Sequence, residues 1–310
     1  MPDTRIDNLI RATDALGAEM NDHTHAESQR IWSLATRNEE GVRQELDVAY
    51  GPDARHQLDI YVRDTPAHTR KPVFVFVHGG GFTGGSKRKP GTYLYGNIGT
   101  WAAQHGMVGV NVTYRLAPEH QWPAAIDDLQ RALIWIAEHI GSRGGDASRI
   151  VLAGHSAGAT HAAGYLARLA ERSSGDLPNV AAAVLFSGSY DIVAASDRPS
   201  IQAYFGSDPD EVARRSPLTG LLQNTVPLLV ATAQHDPPMF RLQAESLMHR
   251  WPASGRRPIY VDLTGHNHFS MAYHFGSEDS RFSGAILELL AQHALLSRDR
   301  SNRRPYGDMT

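Results

Sequence analysis

The stretch Arg149-Ile150-Val151-Leu152-Ala153-Gly154-His155-Ser156-Ala157-Gly158 carries an apolar run straight into a G-x-S-x-G pattern. The run reads as a buried strand, and the small residues from Ala159 through Ala170 read as a helix. Strand, G-x-S-x-G and helix, in that order, is the context in which the pattern means a nucleophile elbow. The reason is steric. A serine on so sharp a turn takes strained backbone angles and lifts its Oγ clear of the sheet. Strand and helix pass close at the flanking positions, which must then be nearly free of side chain. Ser156 also stands at a helix N-terminus, where the field favours developing negative charge. Alone the pattern is weak, because Gly, Ser and Ala are common residues and an ordinary glycine-rich turn matches it equally well.

The flanking sequence supplies more strands. Val73-Phe74-Val75-Phe76-Val77 is continuously apolar, as a central strand buried on both faces must be. Met107 to Val112, Val180 to Phe186, Pro227 to Ala233 and Pro258 to Leu263 read as further strands. Helical spacing lies between them: Gly96 to His105, then Ile126, Leu129, Leu133, Ile136 and Ile140 after Trp122-Pro123, and Phe240, Ala244, Leu247, Met248 and Trp251. Phe282 to Leu296 closes the series as a last helix. Val42 to Tyr50 and His56 to Val62, joined by Gly51-Pro52-Asp53, read as an antiparallel hairpin ahead of it all. The expectation is an α/β fold: a mostly parallel eight-stranded sheet with helices on both faces.

Three segments stand outside this alternation. Ile6 to Leu34 looks helical, with Leu9, Ile10, Leu16 and Met20 on one partial apolar face and Ile31, Trp32 and Leu34 on another. It precedes the first strand, so residues 1–41 are read as an arm covering a site, with a plain surface helix as the alternative. Ser187 to Val226 breaks into Asp, Ser, Pro and Gly with isolated aromatics. Residues 297–310, rich in arginine, read as a solvated tail.

The 310 residues form one domain on this reading, long enough to bury about three-quarters of the unfolded surface. There is no cysteine, which excludes disulfides, thiolate metal sites and cysteine nucleophiles. The net charge of −3 is interspersed and gives no reason to expect nucleic acid or an anionic membrane as partner. No apolar stretch approaches spanning length, and the first residues carry no signal pattern, so a cytoplasmic protein is expected. None of the sixteen histidines stands in H-E-x-x-H, so neither metal nor cofactor is expected.

Ligands of such sheets sit beyond the carboxyl ends of the strands. His78-Gly79-Gly80-Gly81-Phe82 follows the central strand. Consecutive glycines there let backbone N–H groups approach a ligand with no Cβ in the way. In acyl transfer the N–H groups of Gly80, Gly81 and Ala157 would hold the oxyanion. Gln234-His235-Asp236-Pro237-Pro238 and Gly265-His266-Asn267-His268-Phe269-Ser270 follow two later strands. Serine needs a base to take its proton, and an imidazole base needs a carboxylate to fix its tautomer. Spacing leaves His266 and His268 open. Asp191 and Asp262 rival Asp236 as the acid, although Asp262 lies within a strand and so points along the sheet.

Together with Tyr114-Arg115-Leu116-Ala117-Pro118-Glu119, these segments resemble the α/β-hydrolase esterases of the hormone-sensitive-lipase type. The likeness is closest to the branch of bacterial carboxylesterases and arylformamidases, and it runs from about Val42 to Leu296. It implies Ser156 as nucleophile and Asp236 as acid. It points to His268, before Phe269-Ser270, as base. It also implies a scaffold role for Arg115, paired with an acid such as Asp127 or Asp128. The lid it implies is residues 1–41 plus the insertion 187–226. Both are short, so a modest pocket is expected, with Phe82, His155, Tyr190, Tyr204 and Phe205 as candidate walls.

The implied activity is hydrolysis of short acyl or aryl carboxylic esters through an acyl-enzyme. The alternatives are aryl-amide or arylformamide hydrolysis by the same groups, and a non-catalytic binding protein. The small-molecule substrate is the expected partner. The edge strand at Pro258 to Leu263 leaves both monomer and homodimer open.

Overall fold

A computed structural model describes residues 4–35, 37, 39–64, 70–171, 177–253 and 255–296. The tail expected over 297–310 lies outside the described residues, as do 1–3, 36 and 38 of the arm. Eight strands form one sheet: β1 Val42–Ala49, β2 Gln57–Arg63, β3 Lys71–Val77, β4 Val108–Val112, β5 Gly145–His155, β6 Ala182–Phe186, β7 Leu228–His235 and β8 Ile259–Asn267. Their order is β1-β2-β4-β3-β5-β6-β7-β8. β2 is antiparallel to both β1 and β4, and every other pairing is parallel. This is the mixed, mostly parallel sheet that the alternating pattern implied.

β3 shows why the sequence folds so. All of its residues are buried. Val73, Val75 and Val77 enter one core, while Phe74 and Phe76 enter the core on the opposite face. A strand buried on both sides has no polar face, hence the unbroken apolar run.

The helices are α1 Thr4–Asp14, α2 Asp22–Ser33, α3 Gly96–Gln104, α4 Ala124–His139, α5 Ala157–Glu171, α6 Pro199–Phe205, α7 Pro209–Arg215, α8 Leu218–Leu222, α9 Pro238–Arg250, α10 Ser270–Tyr273 and α11 Arg281–Gln292. The core fed by Val75 takes side chains from α4, α5, α9 and the insertion helices α6 to α8. The core fed by Phe76 takes α3, α10, α11 and the arm residues Leu9, Ile31 and Trp32. Arm and insertion therefore cover opposite faces of the sheet.

The arm is two helices where one was expected. Gly17, in the turn after α1, takes the left-handed angle φ +67°, and the Asn21 side chain accepts the Thr24 N–H at 2.8 Å to start α2. β8 runs further than its apolar core, pairing Asn267 with His235 of β7. That pairing carries both candidate histidines to the carboxyl edge of the sheet beside Asp236.

Candidate active site

The elbow is tight in the way its glycines require. Ser156 sits at φ +55°, between the end of β5 and the start of α5. A Cβ at Gly154 would lie 2.4 Å from the Gly158 carbonyl oxygen, and one at Gly158 would lie 2.1 Å from the Val77 oxygen. No larger residue fits either place without moving the backbone. The Ser156 N–H donates to Phe186 O at 3.0 Å, tying the turn to β6.

Ser156 Oγ lies 3.0 Å from His268 Nε2, and His268 Nδ1 lies 2.7 Å from Asp236 Oδ1. All three residues are buried. Since a carboxylate only accepts, Nδ1 carries the proton and Nε2 is left as the acceptor for the serine hydroxyl. The second carboxylate oxygen of Asp236 accepts from Ser187 Oγ at 2.7 Å and from the Ala233 N–H at 2.8 Å. Pro238 opens α9 and leaves Asp236 pointing at the histidine. The ring of Phe240, one turn on, stacks on His268 at 4.4 Å. His266 is turned elsewhere, with Nε2 2.9 Å from Asp279 Oδ2 and Nδ1 3.0 Å from Ser270 Oγ. The rival acids are taken: Asp191 pairs with Arg250 at 3.3 Å and Asp262 with Arg241 at 3.1 Å.

The glycine loop after β3 curls beside Ser156. The Gly84 N–H donates to Gly80 O at 2.9 Å. Gly80 has φ +134°, and a Cβ there would meet Gly84 O at 2.1 Å. Tyr114 Oη donates to His78 O at 2.8 Å, and its ring stacks on the His78 ring at 4.4 Å. Burial pushes the His78 imidazole down to about 3, so it stays neutral beneath the loop. Arg55 Nη2 holds Gly85 O at 3.0 Å from the β1–β2 side. Arg115 pairs with Asp128 at 2.7 Å, and Asp128 also meets His56 Nε2 at 2.9 Å, so that group is scaffold.

Ser156, His268, His155 and Gly79 to Gly81 line one cavity of about 900 Å³. The arm adds Met20, Asp22 and His25, while Arg88, Lys89, Tyr95, Phe269 and Tyr273 complete much of the wall. His25 Nε2 lies 2.6 Å from Tyr273 Oη, fastening the arm to the cavity rim. Two expectations need correction. The cavity is large, near the upper end of about 300–1,000 Å³ for small-molecule sites. Phe82, Tyr190, Tyr204 and Phe205 are buried and are not among its lining residues. Phe82 stacks on Tyr204 at 5.4 Å and meets Phe205 edge-on at 5.6 Å, within the insertion-side core. The insertion's aromatics thus turn inward to fill that core and leave the cavity open. Of the candidate walls, only His155 borders it.

Sequence reading missed Ser187 and Arg55. Ser187 follows β6 directly, at φ +54°, and so stood at a strand end like the others. Arg55 sits in the hairpin turn, where nothing in the local pattern points toward a distant loop. Among the described residues no three His, Asp or Glu side chains gather to hold a metal ion, and no helix is long and apolar enough to cross a membrane.

A family model described as alpha/beta hydrolase fold matches residues 74–272. Esterase LipC of Mycobacterium tuberculosis is 31% identical over 71% of this chain and 58% of its own length. This chain therefore spans little more than half of that relative. Kynurenine formamidase of Danio rerio is 28% identical over 80% of this chain and 82% of its own. The solved esterase of Pyrobaculum calidifontis superposes with TM-score 0.66 at 25% identity, covering 88% of this chain and 92% of that one.

Proposed function

This chain belongs to the alpha/beta hydrolase fold family, and from that premise we propose that it hydrolyses carboxylic esters of short acyl or aryl groups through an acyl-enzyme on Ser156. The observation that carries the reading is the hydrogen-bonded chain Ser156–His268–Asp236, opening into a cavity bordered by Gly80 and Gly81. His268 Nε2 takes the hydroxyl proton as Ser156 Oγ attacks the substrate carbonyl carbon. The carbonyl oxygen becomes an oxyanion held by the N–H groups of Gly80, Gly81 and Ala157. His268 then gives its proton to the departing alcohol, and water repeats the sequence to release the acid. Asp236 keeps the imidazole in the tautomer this needs and offsets its positive charge, and Ser187 fixes Asp236. Residues 4–35 serve as the lid, with Met20, Asp22 and His25 over the substrate.

Turnover of p-nitrophenyl acetate tests this. Wild type should hydrolyse the ester, and Ser156→Ala, folded by circular dichroism, should not. Activity undiminished in that variant overturns the reading.

A second reading is supported by the formamidase likeness, which spans four-fifths of both chains. The same groups cleave an aryl formamide when His268 protonates a departing amine. Relative kcat/KM for N-formylkynurenine against p-nitrophenyl acetate decides: a formamide preference of tenfold or more, about 1.4 kcal/mol, makes the protein an amidase first.

A further inference from the structure

One buried histidine in the cavity wall has no part in the scheme above. His155 occupies the first variable position of G-x-S-x-G and is buried. Its Nε2 lies 2.9 Å from the carbonyl oxygen of His268. A carbonyl can only accept, so Nε2 carries the proton and donates, and Nδ1 is a bare lone pair. Nδ1 is buried with no hydrogen-bond partner. Gly79 closes over it: a Cβ at that position would come within 3.2 Å of Nδ1 and 3.0 Å of Ser156 Cβ. The imidazole is wedged between Phe186, at 5.0 Å, and the His268 ring, at 4.8 Å.

This places two links side by side across one gap. Ser156 Oγ reaches His268 Nε2 at 3.0 Å, and the preceding residue reaches the His268 backbone at 2.9 Å. Asp236 and Phe240 fix only the His268 ring. The His155 bond fixes the main chain that carries it, from the same strand end that carries the nucleophile. We propose that His155 is a positioning residue of the hydrolytic centre, its Nε2–H holding the backbone of His268 so that the base faces Ser156. The arrangement also requires a neutral ring, because a cation so close to His268 would oppose the imidazolium formed in each acyl transfer. Burial, with His268 adding to it, holds the His155 pKa well below the ordinary histidine value.

This inference rests on the hydrolase reading. Its test is a series at position 155. A glutamine amide reaches the place of Nε2 and keeps the donor. An asparagine amide reaches only the place of Nδ1, and phenylalanine keeps the ring without any donor. His155→Phe and His155→Asn should lower kcat for p-nitrophenyl acetate about 10- to 100-fold, as for a misplaced catalytic group, with KM changed less than about threefold. His155→Gln should recover kcat to within about fivefold of wild type. Folding is checked by thermal melts, and if the phenylalanine variant does not fold, the asparagine–glutamine pair decides. Asparagine and phenylalanine variants as fast as wild type overturn the proposal, as does a folded glutamine variant as slow as asparagine. Wild-type protein that neither turns over ester or formamide nor reacts with a fluorophosphonate overturns the hydrolase reading itself, and this inference falls with it.

Discussion

Two Ser–His–Asp sets stand among the described residues, and their histidines are separated by a single residue. In one, Ser156 meets His268 Nε2 at 3.0 Å and Asp236 meets Nδ1 at 2.7 Å. In the other, Ser270 meets His266 Nδ1 at 3.0 Å and Asp279 meets Nε2 at 2.9 Å. The bonds are alike, and the surroundings are opposite. Ser156 is held at φ +55° on a cavity wall beside the glycine loop. Ser270 opens the short helix α10, and its hydroxyl is occupied by the backbone of Asn267, at 2.9 Å from N and 3.1 Å from O. Trp32 of the arm stacks on His266 at 4.9 Å and seals it. Arg281 takes the Asp279 carboxylate at 2.7 Å. A hydrogen-bonded trio is therefore a cheap structural device. What distinguishes the first set is a serine at a strained angle on a cavity wall that the glycine loop shares.

The serines should separate the two sets most sharply. Ser156→Ala should lower kcat on the order of 10⁶-fold, to background. Ser270→Ala should keep kcat within about tenfold while losing about 1–3 kcal/mol of stability, since its buried partners lose a hydroxyl. Ester turnover and thermal melts of both variants check this, and equal kinetic losses would erase the distinction.

The acids come next. Asp236→Asn should cost about 10⁴ in kcat by disturbing the histidine tautomer. Asp279→Asn should act on stability instead. Burial opposes the Asp279 charge, but hydrogen bonds from Arg281 and His266 outweigh it and hold the carboxyl well below its ordinary range. A depressed folded pKa stabilises above the unfolded value of about 3.9, and that contribution is lost as pH falls below it. The melting difference between wild type and Asp279→Asn should therefore be widest near neutrality and shrink below about pH 4. His266 and His274, both held down chiefly by burial, destabilise either protein as pH falls below about 6.5, because the unfolded chain binds the extra protons. Melting curves from about pH 2 to 8 read out both effects.

The sheet and the strand ends that build the candidate site were legible because each rests on a local rule. Unbroken apolar runs mark buried strands, and residues with no packing reason mark their ends. Ser156, Asp236 and the glycine loop were found that way. The choice of His268 over His266 needed the family likeness, because both stand at the carboxyl end of β8, His266 within it and His268 just after it. The Ser270–His266–Asp279 set was invisible, since Asp279 reaches it through a turn with no period of its own. The insertion's aromatics were misplaced for a related reason. An aromatic in an irregular segment is expected to be buried, but the sequence does not say against which wall.

Smaller effects test the supports of the two sets. Ser187→Ala removes one of the bonds that orient Asp236 and should lower kcat about tenfold with KM little changed, as a charge-assisted hydrogen bond is lost. Trp32→Leu uncovers His266 and loses the 3.0 Å bond from Nε1 to Thr13, so it should cost about 2–4 kcal/mol of stability and leave kcat nearly intact. A large kcat loss from Trp32→Leu at full stability would tie the sealed set to catalysis after all.

Fluorophosphonate labelling followed by mass spectrometry of the intact protein and its peptides tests the central claim most directly. One phosphonyl group should add to wild type, on Ser156 alone, and none to Ser156→Ala. A label on Ser270, or a Ser156→Ala protein that still takes one equivalent, would contradict it.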